Sequence, residues 1–165
     1  MDDLIYNQRK IPKDQWRYGF RTSAATGCGW IATYNALKLL GRNPEPEGLI
    51  DYYQRQLPLV HGNAGTSFWG PYVYFREMGY GTQLEFRRER FDELVESSEV
   101  CILFYRWRNK WKFGAHFVAL HRTNDGIIGY NTYKTSVGPD HYGESLADFL
   151  KKKKYFGAVL LGIRG

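Results

Sequence analysis

The segment over residues 28–40 is apolar around nearly its whole circumference when it is placed on a helical wheel. Gly41 follows it as a stop signal, and Thr26 precedes it as the expected N-cap. A helix that is apolar on every side has no face to turn towards water. The sequence therefore predicts a buried helix that the rest of the chain has to surround.

The second half of the chain changes from helical to strand periodicity. The apolar run 100–104 predicts a buried strand, and beyond it aromatic and basic residues alternate. A turn near Asn109 predicts a hairpin. Its apolar face is expected to comprise Tyr105, Trp107, Trp111 and Phe113, opposite a basic face. Further strands are predicted over 115–121, 127–133 and 157–163.

Shorter helical patterns complete the prediction. Helices are expected over 49–56, from Thr66 or Ser67 to about Met78 with Gly79 as the stop, over 91–99 and over 145–154. Residues 1–25 give few periodic signals and are expected to be irregular. Because helices come first and strands later, the predicted class is α+β with a mostly antiparallel sheet. The 165 residues suit a single domain over 1–165.

Composition narrows the class of protein. Hydrophobic residues make up 43% of the chain and charged residues 24%, which is typical of a globular protein. The net charge of +6 favours acidic partners without identifying one. The N-terminus lacks the pattern of a signal peptide, and no apolar window is long enough to span a membrane. We therefore expect a soluble cytoplasmic protein, or a secreted one if a precursor has been trimmed.

The two cysteines have different surroundings. Cys101 lies in the apolar run and is expected to be a core residue. Two thiols are too few for a disulfide-rich scaffold or a structural zinc site. Cys28 lies between Gly27 and Gly29 in the first turn of the predicted buried helix, where unpaired backbone N–H groups stabilise a thiolate. Cys28 is therefore either a nucleophile or a buried structural thiol.

A nucleophilic cysteine needs a base, and the four histidines differ in context. His61 and His141 lie in polar segments and are expected on the surface. His116 opens the strand predicted over 115–121, whereas His121 lies five residues later and points to the opposite face. His116 is therefore the candidate base. The alternative is a core histidine bonded to a backbone carbonyl.

A catalytic imidazole also needs an acceptor that orients its second nitrogen. Asn131, on the next predicted strand, shares a sheet face with His116 if the turn between the strands has two residues. A three-residue loop without a bulge would place Asn131 on the other face. Asp140 is the substitute candidate. Asn131 is otherwise an ordinary turn or strand-end residue.

The order of these features resembles the papain-like cysteine peptidase superfamily. The motifs that carry the resemblance are GCGWIATYNAL at the cysteine and AHFVAL at the histidine, followed by an asparagine on the next strand. They are most similar to the compact bacterial branch of bacteriocin-processing, double-glycine peptidases, and the likeness spans about residues 22–163. It implies a papain-like fold in which the helix bearing the cysteine packs on a mostly antiparallel sheet.

The resemblance also implies an activity and its residues. Cys28 would be the nucleophile, His116 the general base and acid, and Asn131 the orienting residue of a peptidase triad. The substrate would be a peptide or protein. No metal or organic cofactor is implied.

The oxyanion hole is where the sequence departs from the family. The backbone N–H of Cys28 would supply one donor, but the usual glutamine shortly before the cysteine is replaced by Thr22 and Ser23. The candidates for the second donor are therefore Gln15, Ser23 and Thr22. Loss of one such donor lowers the rate by about 10²–10³. A catalytically inactive member of the family is therefore an alternative interpretation of the sequence.

Two other classes of function remain. A catalytically inactive binding module could use FYRWRNKWKF, whose basic and aromatic residues suit single-stranded nucleic acid. A half-buried strand with one solvated face explains that run more simply, so nucleic acid is not the expected partner. A related acyl-transfer enzyme, such as an amidase, a transglutaminase-like enzyme or an isopeptidase, would use the same residues.

Overall fold

A computed structural model of the chain describes residues 4–56, 66–108 and 110–165. Its strands are β1 (Arg17–Tyr18), β2 (Arg21–Thr22), β3 (Gly81–Glu85), β4 (Val100–Arg108), β5 (Phe113–Thr123), β6 (Gly126–Tyr130), β7 (Asp140–Gly143) and β8 (Phe156–Arg164). Its α-helices are α1 (Ser23–Thr26), α2 (Cys28–Leu39), α3 (Pro46–Gln56), α4 (Gly70–Glu77), α5 (Phe91–Glu96) and α6 (Leu146–Lys152). Single 3-10 turns lie at Gln8–Lys10 and Arg88–Arg90.

The main sheet is antiparallel and has helices on both faces. Its strand order is β3–β8–β4–β5–β6–β7, and β1 and β2 form a separate hairpin. Residues of α2, α3 and α4 pack on one face with Ile102 and Phe117, and residues of α5 and α6 pack on the other with Leu103 and Val118. The predicted α+β class with a mostly antiparallel sheet is confirmed.

Helix α2 is buried, as the apolar segment predicted. Trp30, Ile31 and Ala36 within it are fully buried. It ends at Leu39, and the expected stop Gly41 follows two residues later with a φ of 72° and an N–H that bonds to the carbonyl of Lys38.

The expected N-cap of α2 is wrong. Thr26 belongs to the short helix α1, and Gly27 joins the two helices without a side-chain cap. Because α1 turns the chain before α2 begins, the Thr26 hydroxyl does not reach the N-terminus of α2. It is buried without a hydrogen-bond partner.

Several predicted boundaries shift. Helix α3 begins at Pro46, three residues early, because proline is well suited to the first turn of a helix. Helix α4 begins at Gly70, after the expected Thr66 or Ser67, because the Thr66 hydroxyl is bonded to Tyr18 and Ser67 Oγ accepts from the Trp69 N–H ahead of the helix. Strand β6 ends at Tyr130, three residues early, because the next residue has a positive φ.

Other elements agree with prediction or were not foreseen. Helix α6 and strand β8 lie within two residues of their predicted bounds, and α5 begins as predicted but ends at Glu96, three residues early. Gly79, with a φ of 82°, follows the end of α4 as the expected stop. Strands β3 and β7 were not predicted, and the region 1–25, expected to be irregular, contains a 3-10 turn, the β1–β2 hairpin and α1. No helix within the described ranges is long and apolar enough to cross a membrane.

The hairpin of β4 and β5 forms, but its predicted apolar face is wrong. Phe113 pairs with Arg108 and Trp107 with Gly114, so Phe113 shares a face with the arginine. The connection between the strands shifts the alternation, so Trp107 and Phe113 are on opposite faces. Phe113 and Trp111 are both exposed. The expected turn residue, Asn109, lies outside the described ranges.

Candidate functional site

The Cys28 thiol lies at the first residue of α2, with three backbone donors around it. The N–H groups of Phe117, of Cys28 itself and of Gly29 act on the sulfur and lower its pKa. Burial has the larger and opposite effect, and it raises the pKa of the Cys28 thiol to about 11. The resting thiol is therefore protonated at neutral pH. Cys101 is a core thiol as expected, and burial raises its pKa to about 12.

His116 lies on β5 and has a defined tautomer. Its Nε2 is 2.6 Å from the backbone carbonyl oxygen of Asn131. A carbonyl can only accept, so in the neutral ring Nε2 carries the proton and Nδ1 has a free lone pair. Burial lowers the pKa of His116, its hydrogen bond to Asn131 raises it, and the charge of Lys134 lowers it. His116 is therefore a neutral imidazole whose Nδ1 can accept a proton.

Cys28 contacts β5, the strand on which His116 lies. Phe117, whose N–H acts on the Cys28 sulfur, is the residue after His116. Strand β4 occupies one edge of β5, and β6 pairs with β5 only from Ala119 onwards. The sulfur therefore approaches the edge that β6 leaves open. The thiol lies at the position along β5 next to the one that bears the imidazole.

Asn131 follows β6 directly and adopts a left-handed backbone conformation, with a φ of 64°. Thr123 pairs with Gly126 across a two-residue turn, so Asn131 has the register that the sequence required for the face of His116. The group that meets the imidazole is nevertheless its backbone carbonyl. Its side chain turns to Gln8, accepting from the Gln8 N–H at 2.8 Å and donating to Gln8 Oε1 at 3.0 Å.

Gln8 is a residue that sequence reasoning missed. Besides its bonds to Asn131, its Nε2 donates to the carbonyl of Ala24 in α1 at 3.2 Å. One side chain thus links Asn131, whose carbonyl contacts the imidazole, to the helix that leads into Cys28. Gln8 lies in a polar stretch without periodicity, so no sequence pattern could have identified it.

Residues close to Gln8 in the sequence fix this N-terminal segment to the rest of the protein by hydrogen bonds. Ile5 and the Asn35 side chain on α2 exchange two hydrogen bonds, each of 2.9 Å. The buried Asn7 side chain donates to the carbonyls of Lys134 and Ser136 at 2.8 and 3.1 Å. The segment therefore bridges α2 and the loop after β6.

The candidates for the second oxyanion donor occupy different environments. Gln15 is exposed and lines a surface cleft with Pro12 and Val137. Ser23 is fully buried, and its Oγ accepts from Trp30 Nε1 at 3.2 Å. Thr22 precedes α1 without a capping bond from its side chain.

The remaining candidates are engaged away from His116. Asp140, the substitute orienting residue, accepts from Ser136 Oγ at 2.6 Å. His121 lies on the opposite face of β5 from His116 and is 3.3 Å from the Tyr130 hydroxyl, and His141 is exposed on β7. His61 lies outside the described ranges.

Two buried hydroxyls pack against the start of α2. The Tyr18 hydroxyl is 2.9 Å from Thr66 Oγ1. Burial raises the pKa of Tyr18, and the nearby Cys28 adds to that increase. Thr66 lies where a β-carbon on Gly29 would be, so only glycine fits after the cysteine. Among the described residues no three His, Cys, Asp or Glu side chains are grouped to hold a metal ion.

No protein-family model and no curated protein matches the sequence. The structure is similar to the peptidase domain of Streptococcus ComA, a bi-functional ABC transporter involved in a quorum-sensing pathway, with a TM-score of 0.54. The two share 15% sequence identity, and the alignment covers 83% of this chain and 91% of that domain. This chain therefore has an α+β papain-like fold, as the resemblance implied.

Proposed function

We propose that this chain is a cysteine peptidase-like hydrolase of the compact double-glycine branch, which cleaves peptide bonds through an acyl-enzyme. One observation carries the proposal: the Cys28 thiol and the His116 imidazole meet adjacent positions of β5, and His116 Nε2 is bonded to a carbonyl. That bond leaves Nδ1 free to accept the thiol proton.

The mechanism follows from these groups. Substrate binding brings a peptide carbonyl to the sulfur, His116 Nδ1 takes the thiol proton, and the thiolate attacks the carbonyl carbon. The N–H groups at the start of α2 stabilise the oxyanion. His116 returns the proton to the leaving amine, then takes one from the water that attacks the acyl group and passes it to the Cys28 sulfur as the acyl group leaves. Asn131 orients the ring throughout with its carbonyl.

The second oxyanion donor is proposed among the polar residues ahead of Cys28. Ser23 accepts from Trp30 and still has its own hydroxyl proton to donate. Thr26, two residues before Cys28, adds a buried hydroxyl without a partner. Ser23→Ala and Thr26→Val separate these two. Loss of an oxyanion donor lowers kcat by about 10²–10³.

Alkylation kinetics test the proposal. Iodoacetamide modification of Cys28 and Cys101 is followed by mass spectrometry in the wild type and in His116→Ala. We expect Cys28 to react faster than Cys101 at neutral pH, and His116→Ala to remove most of that difference. Hydrolysis of a peptide panel with and without Gly-Gly bonds, and its loss in Cys28→Ser, is the direct assay. Equal labelling of both thiols and no hydrolysis would contradict the proposal.

One observation favours a second candidate, a papain-like binding module without catalysis. The raised pKa of Cys28 makes its resting thiol a poor nucleophile. In that case the Cys28→Ser variant binds the peptide panel as the wild type does. Under the hydrolase proposal, the wild type hydrolyses the peptide, whereas Cys28→Ser binds it and leaves it intact. An acyl-transfer enzyme is recognised by product formation only when an amine acceptor is added.

A further inference from the structure

The hairpin of β4 and β5 extends beyond its neighbours in the sheet. Pairing of β4 with β8 ends at Arg106, and pairing of β5 with β6 begins only at Ala119. Beyond Arg106 the two strands form a short ribbon, residues 107–108 paired with 113–114, that has no further described strand on either side, and Arg108 pairs with Phe113 at its end. We call residues 106–108 and 110–113 the hairpin tip.

The hairpin tip carries the two most exposed large apolar side chains of the described residues. Trp111 is 88% exposed and Phe113 is 86% exposed. Exposing aromatic rings to water is unfavourable, and an exposed apolar group rimmed by polar residues marks an interaction surface. Among the described aromatic residues of the main sheet, Phe156 is 43% exposed and the others apart from Phe113 are buried or half-buried, so core packing does not explain Trp111 and Phe113.

The charges of the hairpin tip all have one sign. Arg106, Arg108, Lys110 and Lys112 are exposed, and no acidic residue occurs between Val100 and Asn124. Lys151–Lys154 add cations next to Phe156, which pairs with Arg106. A partner of this surface therefore has to be anionic and has to accept two aromatic rings.

We propose that the hairpin tip binds the surface of a lipid bilayer that contains anionic lipid. Tryptophan and phenylalanine insert at the boundary between headgroups and acyl chains, while Lys and Arg contact the anionic headgroups. Single-stranded nucleic acid, which also uses aromatic and basic residues, is bound in a groove that follows its backbone. A projecting ribbon suits a planar surface better. This inference does not depend on the hydrolase proposal.

The tip would also orient the candidate site. Phe113 and His116 lie on the same strand, three residues apart, which is about 10 Å at the rise of a strand. A molecule bound through Trp111 and Phe113 therefore holds the end of the sheet with Cys28 and His116 close to the bilayer.

Vesicle binding tests the proposal. Sedimentation with vesicles of pure phosphatidylcholine is compared with sedimentation with vesicles that also contain phosphatidylserine. We expect binding only to the anionic vesicles, weakened by salt. Trp111→Ala with Phe113→Ala should weaken it at least about tenfold, and each of Arg108→Gln and Lys110→Gln about fivefold. The controls Phe20→Ala and Lys13→Gln change exposed residues elsewhere and should leave binding within about twofold of the wild type.

A second measurement locates the tip in the bilayer. Brominated phosphatidylcholine in the anionic vesicles should quench tryptophan fluorescence in the wild type. The Trp111→Phe variant should still bind but should lose most of that quenching. Equal binding to both vesicle types would overturn the proposal, as would unchanged binding in the tip variants. Binding to oligothymidine but not to anionic vesicles would assign the surface to nucleic acid instead.

Discussion

At the scale of single residues, the candidate site consists of two neutral groups. Burial raises the pKa of Cys28 and lowers that of His116, so both changes oppose a resting thiolate–imidazolium pair. The thiol proton therefore moves to Nδ1 as the sulfur attacks an electrophile, whether that is a peptide carbonyl or iodoacetamide. The reactivity of Cys28 would then depend on His116 even though the resting thiol is protonated.

The ionisation of Cys28 can be measured directly. The ultraviolet absorbance of the thiolate is obtained as the difference between the wild type and Cys28→Ser across a pH series. We expect little thiolate at neutral pH and a rise only as the pH approaches about 11, because burial disfavours the charged form. A thiolate signal at pH below about 7 would show instead that the two groups form a resting ion pair.

His116 makes stability depend on pH. Because burial lowers the pKa of His116, the unfolded chain binds a proton at this residue more tightly than the folded chain does. The free energy of unfolding should therefore fall as the pH drops below about 6.5, the usual pKa of histidine, towards the lower pKa of the folded state. Urea unfolding at several pH values measures this. His116→Gln should make the dependence shallower, although His121 contributes in the same direction.

Gln8 offers a test of how the imidazole is oriented. Gln8→Met removes the side-chain bonds to Ala24 and Asn131 but keeps the backbone N–H that bonds to Asn131. We expect a loss of about 1 kcal/mol of stability for each bond, and nitrogen NMR should show a second tautomer of His116. The matched control is Gln15→Met, which alters an exposed glutamine. A single unchanged tautomer in Gln8→Met would exclude this positioning role.

At the scale of elements, the two glycines of α2 and α3 should respond oppositely to alanine. A β-carbon at Gly29 would clash with the buried Thr66, whereas one at Gly48 would meet nothing within 4 Å. Gly29→Ala should therefore lose about 1–3 kcal/mol, and Gly48→Ala should gain about 0.5–1 kcal/mol from helix propensity. Denaturant unfolding of both variants gives the comparison. Equal effects would mean that helix propensity alone decides at both positions.

Elements with a long burial pattern were predictable, and short ones were not. Helix α2 is buried on all sides, so its residues form a continuous apolar segment that can be recognised in the sequence. The same holds for the apolar runs of β4 and β8. Strands β3 and β7 are four or five residues long and lie at or near the sheet edges. Their pairing depends on partners far away in sequence, which local periodicity does not record.

The candidate site divides in the same way. Cys28 begins α2, and His116, the fourth residue of β5, immediately precedes an apolar run, so both side chains could be proposed from the sequence. The acceptor that His116 contacts is a main-chain carbonyl, and Gln8 contacts Asn131 from a segment more than a hundred residues earlier in the sequence. Neither contribution leaves a side-chain pattern in the sequence.

At the scale of the whole molecule, one sheet separates two helical layers. The layer of α5 and α6 is joined by Asp92, which accepts from the Leu146 N–H at 2.6 Å and from Ser145 Oγ at 2.7 Å. This junction lies on the face of the sheet opposite α2. The free energy of unfolding and the alkylation rate of Cys28 can therefore be tested separately.

Asp92→Ala provides such a test. It leaves the Leu146 N–H without its acceptor, so we expect a loss of about 1–3 kcal/mol in the free energy of unfolding. The alkylation rate of Cys28 should stay unchanged, because Cys28 packs on the α2 face and His116, which shares the other face with Tyr105, is bonded to Asn131 and not to Asp92. Asp125→Ala, in the exposed turn between β5 and β6, should alter neither quantity. A changed alkylation rate in Asp92→Ala would show that the two layers are coupled.

The position of Asn131, the left-handed residue after β6, limits what a substitution there can change. Any amino acid at position 131 carries a carbonyl, so substitution there cannot delete the atom that His116 contacts. Alanine scanning would report only the strain and the lost amide, and would miss the acceptor itself. Replacing the peptide unit with an ester, which weakens the carbonyl as an acceptor, would reach it.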